Sequence, residues 1–193
     1  MRILKILFLT ILAASNHVVF AQKISGIASH IYDGDTFRLK KSNGDLVQIR
    51  LANIDAPELE QTHGIASREY LQKMLKGNEV VVDIQDIDKY GRTVGIVFSN
   101  NININDASVA NGHAWHYWRY SKNINICKIE NMAKRNKIGL WADPNPTPPW
   151  EYRERRKTLQ TSPKFRQSNP FKDYVDHSEE IVDSIIKNRK YLN

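Results

Sequence analysis

The sequence predicts an α+β chain: a small closed barrel of five strands with three helices, followed by a C-terminal extension. Three observations carry this. Five short segments rich in β-branched residues fall between positions 24 and 98. Asn43-Gly44 stands between the second and third of them, flanked by alternating apolar residues, which is the strongest short-range hairpin signal. One helical pattern interrupts the strands and two follow them.

In chain order, residues 24–32 alternate as a first strand. Residues 35–41 and 46–53 are the arms of the hairpin around Ser42-Asn43-Gly44-Asp45. Tyr70, Leu71, Met74 and Leu75 recur at three and four positions, one apolar face of a helix over 63–76 that ends at Lys76-Gly77-Asn78. Val80-Val81-Val82-Asp83-Ile84 and residues 93–98 are the fourth and fifth strands, joined through Asp88-Lys89-Tyr90-Gly91-Arg92. A short helix over 104–111 closes at Gly112, and another over 123–137 stops before Gly139-Leu140-Trp141. Residues 143–150 carry four prolines and read as a stiff strap without regular structure. A weak amphipathic helix is expected near 177–190, around Val182, Ile185 and Ile186. The OB-fold is the natural five-stranded candidate.

The chain's 193 residues suit one domain with appendages. Arg2 and Lys5, an apolar run over 6–14 and Val19-Phe20-Ala21 read as a signal peptide cleaved after Ala21. An N-terminal membrane anchor is the alternative, since residues 18–20 prolong the hydrophobicity. The expected organisation is therefore 1–21 signal peptide, 22–143 barrel domain, 144–157 strap and 158–193 charged tail, in a secreted or periplasmic monomer without stable membrane association after cleavage. Cys127 is the single cysteine, which excludes an intramolecular disulfide, and it reads as a helix-packing residue. A net charge of +7 permits a polyanionic partner without requiring one.

The hairpin returns the chain on itself, so Asp35 near its start and Asp55 just past its end approach, with Glu58 following and Arg50 between them. Unpartnered carboxylates would repel, and a hard cation such as Ca²⁺ makes their approach favourable. Asp33 reads as a turn or supporting residue beside Gly34. Taken alone, Arg50 and Glu58 would read as a surface ion pair.

Asp33-Gly34-Asp35-Thr36, Arg50-Leu51 followed by Asp55-Ala56-Pro57-Glu58, Asp88-Lys89-Tyr90-Gly91-Arg92 and Gly139-Leu140-Trp141 occur in this order. As an ordered set, over roughly residues 24–143, they closely resemble the staphylococcal nuclease (thermonuclease) family. The resemblance implies an OB-fold enzyme using Ca²⁺ to hydrolyse phosphodiester bonds of DNA and RNA, leaving 3′-phosphates. It implies Asp35 and Asp55 as metal ligands, with Ala56 a ligand through its carbonyl; many relatives have threonine there, and a carbonyl ligand tolerates alanine. It implies Arg50 and Arg92 as the phosphate clamp and Glu58 as candidate general base. Those residue types suit the chemistry, because the transition state adds negative charge that guanidiniums and a cation offset.

Lys89 and Tyr90, with Trp118 and Tyr120, are the expected substrate contacts: a terminal phosphate for Lys89 and stacking surfaces for the aromatics. Trp115, Tyr117 and Trp118 read equally well as partly core. His113 and His116 lack a third ligand and receive no role. The loop over 58–67 is several residues shorter than in the best-known relative, and the tail beyond Trp150 has no counterpart there. Trp150-Glu151-Tyr152-Arg153 is expected to pack back on the domain. The alternative function is a catalytically silent OB module that binds nucleic acid or protein. Such a module would have lost members of the Asp35, Arg50, Asp55, Glu58, Arg92 set, and this chain keeps all five.

Overall fold

Asn43 and Gly44 turn the chain where the sequence places a turn, with the Gly44 N–H donating to the Lys41 carbonyl (3.0 Å) and the Lys41 N–H to that of Asp45 (2.9 Å). On either side, β2 (Thr36–Lys40) and β3 (Leu46–Leu51) pair antiparallel in the register Phe37↔Ile49 and Leu39↔Val47. This register puts Phe37, Leu39, Ile49 and Leu51 on the inner face, each almost fully buried.

The computed structural model describes residues 22–161. Strand β1 (Lys23–Ile31) pairs with β2 on one side and with β5 (Glu79–Ile87) on the other. β5 pairs with β6 (Thr93–Ser99), and a parallel match of β6 to β3 closes the five-stranded OB-type barrel. Register shifts at Ala28/His30 in β1 and at Ile84/Asp86 in β5 mark bulges, which add the bend a small barrel needs.

Helix α1 (Gly64–Leu75) lays Leu71 and Leu75 into the core beside Val80, Val82 and Val97. Helices α2 (Ile104–Ala110) and α3 (Ile124–Arg135) add Ile104, Val109 and Ile126. Asn103 and Asn123 cap these two helices by accepting from Asp106 N–H and from Asn125 N–H. A second cluster of Trp115, Ala133, Leu140 and Trp141, with Trp150 against it, sits beyond the barrel end.

Several features differ from the expectations. Short pairings went unforeseen: β4 (Ile54–Asp55) with β8 (Trp115–His116), and β7 (Ile102–Asn103) with β6. Two-residue strands leave no periodicity to read. A fourth α-helix, α4 (Pro149–Thr161), begins inside the expected strap and crosses the expected boundary at 157/158. Proline is tolerated in a helix's first turn, where its missing N–H removes no internal bond, so the proline run sets the start of α4 and does not exclude it. Cys127 lies exposed on α3 and not in the packing. The signal peptide and the 177–190 helix lie outside the described residues.

One buried polar side chain joins α2 to the barrel. Asn105, with no exposed surface, accepts the Val97 N–H (2.9 Å) and donates to the carbonyls of Ala52 (2.8 Å) and Gly95 (3.2 Å). Asn105→Ala orphans these backbone groups and is expected to destabilise the fold by about 2–4 kcal/mol. Urea denaturation checks this; a midpoint shift within error of zero would contradict it.

Candidate active site

Asp35 ends a tight turn in which the Tyr32 N–H donates to the Thr36 carbonyl (2.9 Å) and the Asp35 N–H to Asp33 Oδ1 (3.0 Å). Gly34 is required by space: a Cβ there would lie 2.7 Å from the Cβ atoms of Ala56 and Ser67. The turn is thereby seated between β4 and α1. Asp35 Oδ2 accepts the Ala56 N–H (2.6 Å) and Arg50 Nη1 (3.1 Å), while Oδ1 accepts the Thr36 hydroxyl (3.0 Å). Asp55 is held by the pairing of β4 with β8, opposite Trp115.

Arg50 stands between these two carboxylates. Its Nη2 donates to Asp55 Oδ1 (2.9 Å), and its Nη1 also reaches the Leu51 carbonyl (2.9 Å). The side chains of Asp35 and Asp55 are only 7% and 2% exposed, so their charge is held in a poorly solvated place. Burial pushes the Asp55 carboxyl up to about 6, and the charge of Asp35 adds to this against the pull of Arg153 and Arg50. Burial, and then the neighbouring Asp35, push Asp33 up to about 7.

Glu58 begins the loop after β4. Its N–H donates to Gln61 Oε1 (2.9 Å), and Gln61 Nε2 donates to the Thr147 carbonyl (2.9 Å), tying this loop to the proline strap. Glu58 does not pair with Arg50. Its Oε1 accepts Arg153 Nη1 (2.7 Å), and Arg153 Nη2 donates to Asp55 Oδ2 (2.7 Å). Burial works against the Arg153 charge, but the hydrogen bonds and charges of Asp55 and Glu58 outweigh it and raise its pKa.

Arg153 is the residue that sequence reasoning missed. Trp150 lies one helical turn before it, in edge contact with Trp115 and stacked 5.5 Å from Tyr117. Positions three apart share a helix face, so anchoring Trp150 aims Arg153 at the carboxylates. An apolar anchor followed three positions later by an arginine was the available signal. The expected packing of 150–153 on the domain is what the structure has.

Across the cleft, Asp88 organises the β5–β6 turn by accepting the N–H groups of Tyr90 (2.9 Å) and Arg92 (3.0 Å) on one oxygen and Arg92 Nε (2.7 Å) on the other. Lys89 Nζ and the Arg92 guanidinium lie 5.0 and 5.5 Å from the Tyr90 ring centre. A cleft of about 850 Å³ brings together Asp35, Arg50, Asp55, Ala56, Glu58, Lys89, Tyr90, Arg92 and Tyr120, together with Arg153. Trp118 is exposed and does not line it. Trp115 is buried and Tyr117 half-buried, so of the three aromatics that could be core, Trp118 is the one that is not.

The chemistry beside Asp35 suits a hard cation: two buried carboxylates, with positive charge already drawn in as Arg50 and Arg153. Among the described residues, no three His, Cys, Asp or Glu side chains form a group able to hold an ion. The three-acid meeting of Asp35, Asp55 and Glu58 is thus only partly realised, because Glu58 turns to Arg153.

Histidine has a different place. His113 Nδ1 lies 3.2 Å from His63 Nε2, with the Tyr70 ring stacked on His113 at 4.1 Å. Burial, and then the His63 charge, lower His113 to about 4, and burial lowers His63. Both bind protons less readily in the fold than in the unfolded chain, so stability present above pH 6.5 is lost as pH falls from 6.5 toward 4, the folded value of His113. His113→Gln is expected to flatten the melting-temperature slope over that window, read by thermal denaturation at fixed ionic strength. A slope unchanged from the parent would contradict the assignment.

Residues 48–143 match the family model described as staphylococcal nuclease homologue. The chain is 37% identical to an "Uncharacterized endonuclease" of Escherichia coli over 139 residues, 72% of this chain and 90% of that protein. It is 36% identical to "Micrococcal nuclease" of Shigella flexneri, over 68% of this chain and 82% of that protein. It is 42% identical to "Probable staphylococcal-like nuclease CAN3" of Oryza sativa subsp. japonica over 106 residues, 55% of this chain. The chain spans 28% of the length of that rice relative and 29% of a second one.

Proposed function

The chain belongs to the staphylococcal nuclease family, and we propose that it is a Ca²⁺-dependent endonuclease hydrolysing phosphodiester bonds of DNA and RNA. The observation that carries this reading is the pair of buried carboxylates, Asp35 and Asp55, in one cleft with Arg50, Glu58 and Arg92. Buried carboxylates at a polyanion's cleft oppose binding unless a cation offsets them. In this reading Asp35, Asp55 and the Ala56 carbonyl hold that cation. When bound, Ca²⁺ supplies charge that stabilises the phosphoryl oxygens in the transition state.

Glu58 orients the attacking water and accepts its proton. Arg92 lies at the cleft wall, held through its Nε by Asp88, and presents its guanidinium to a phosphate. Arg50 has both Nη groups on Asp35, Asp55 and the Leu51 carbonyl, so it places the carboxylates as well as stabilising phosphate charge. Tyr90 and Tyr120, 72% and 79% exposed, offer stacking faces, and Lys89 a contact for a terminal phosphate. Trp118 is a stacking surface outside the cleft. The secreted or periplasmic location belongs to this proposal and rests on residues 1–21 alone.

The purified protein is expected to cleave single-stranded DNA, duplex DNA and RNA in millimolar Ca²⁺, less well in Mg²⁺, whose octahedral demand is stricter, and not in chelator. Glu58→Gln and Arg92→Ala are each expected to lower turnover about a hundredfold or more with the fold intact. Full activity in chelator with metal verified absent, or a folded variant of near-parent activity, would overturn the corresponding assignment.

A further inference from the structure

Arg153 comes from α4, beyond residue 143 where the family match ends. Its guanidinium lies on the carboxylates that the proposed cation would need. Nη2 is 2.7 Å from Asp55 Oδ2; Nη1 is 2.7 Å from Glu58 Oε1 and 3.3 Å from Asp55 Oδ1. With Arg50 Nη2 on Asp55 Oδ1 as well, both Asp55 oxygens already accept charged donors. A divalent ion bound to Asp55 would stand within a few ångströms of the Arg153 charge, in a site where water screens poorly.

We propose that Arg153 is a built-in competitor of the divalent cation: it neutralises Asp55 and Glu58 when no ion is bound, and it must leave Asp55 for the ion to bind. This rests on the calcium reading above. Arg153, and not Arg50, is the group that exchanges. The Arg50 side chain is 12% exposed and fixed on a barrel strand, whereas that of Arg153 is 37% exposed. The neighbouring contact of α4, Arg156 with Glu60 at 3.6 Å, is between exposed side chains and adds little. The anchors that remain when Arg153 swings away are Trp150 on Trp115 and Gln61 on the Thr147 carbonyl. Helix α4 therefore stays docked while the arginine trades partners. In this arrangement a segment outside the barrel sets the concentration of cation at which the site fills.

The test is calorimetric titration of CaCl₂ into the full chain without nucleic acid, with melting temperatures in chelator and in saturating Ca²⁺. Arg153→Ala is expected to bind Ca²⁺ about tenfold more tightly than the parent, because the competing state is removed. Its melting temperature in chelator should fall while its rise on adding Ca²⁺ grows. Arg153→Lys, which keeps the charge without the bidentate fork, should bind with intermediate affinity, and it provides the comparison if the alanine variant does not fold. If the parent binds Ca²⁺ and the folded variants bind it equally or more weakly, the competition is wrong while the calcium reading stands. If neither parent nor variants bind Ca²⁺ at tens of millimolar, the calcium reading fails and the competition falls with it.

Discussion

Asp35 Oδ2 accepts the Ala56 N–H at 2.6 Å, across 21 positions of chain. That bond ties the turn before β2 to the strand end beyond β3, and the site's electrostatics follow from it. It brings the Asp35 and Asp55 carboxylates to either side of Arg50 in a place nearly closed to water. Removing one partner from a buried ionic group of this kind typically costs about 3–5 kcal/mol, because the remaining charge is stranded. The group therefore persists only while cations are present in it, as guanidiniums or as a metal ion. Barrel closure through β3 and β6 and the seating of Asp55 by β8 hold the geometry in which that requirement arises.

Much of this was legible in the residues. Asn43-Gly44 located the hairpin, and alternation in Phe37, Leu39, Ile49 and Leu51 gave its inner face. Asp35, Arg50, Asp55 and Glu58 follow from that hairpin, since its two arms carry or adjoin them all. What the residues did not disclose were partner choices made through space. Arg50 and Glu58 look like a pair by nearness in sequence, yet each finds a different partner, because β3 turns Arg50 to the face opposite Ile49 and Leu51, toward Asp55, and the loop held by Gln61 directs Glu58 toward α4. Trp115 and Trp118 are three apart in an aromatic-rich stretch; only the two-residue pairing of β8 decides that the first is buried and the second exposed.

The extension shows the same limit from the other direction. A run of prolines read as an end to regular structure is the entry to α4, and the helix returns Arg153 to the centre of the site. Every carboxylate and arginine given a site role from the sequence precedes residue 143, yet the site's charge balance includes Arg153, which the sequence marked only for packing. Trp150 is the reason: its burial against Trp115 fixes the helix, and helical spacing does the rest.

In the proposed reading, Asp35 and Asp55 form a cation site that the Arg50 and Arg153 guanidiniums fill by default. A crystal structure of the protein grown in Ca²⁺, with the ion located by anomalous scattering, tests it most directly. The expected result is Ca²⁺ bound to oxygens of both Asp35 and Asp55, with the Arg153 guanidinium withdrawn from Asp55. Calcium bound elsewhere in the molecule, with the Arg153–Asp55 contact intact, would contradict it.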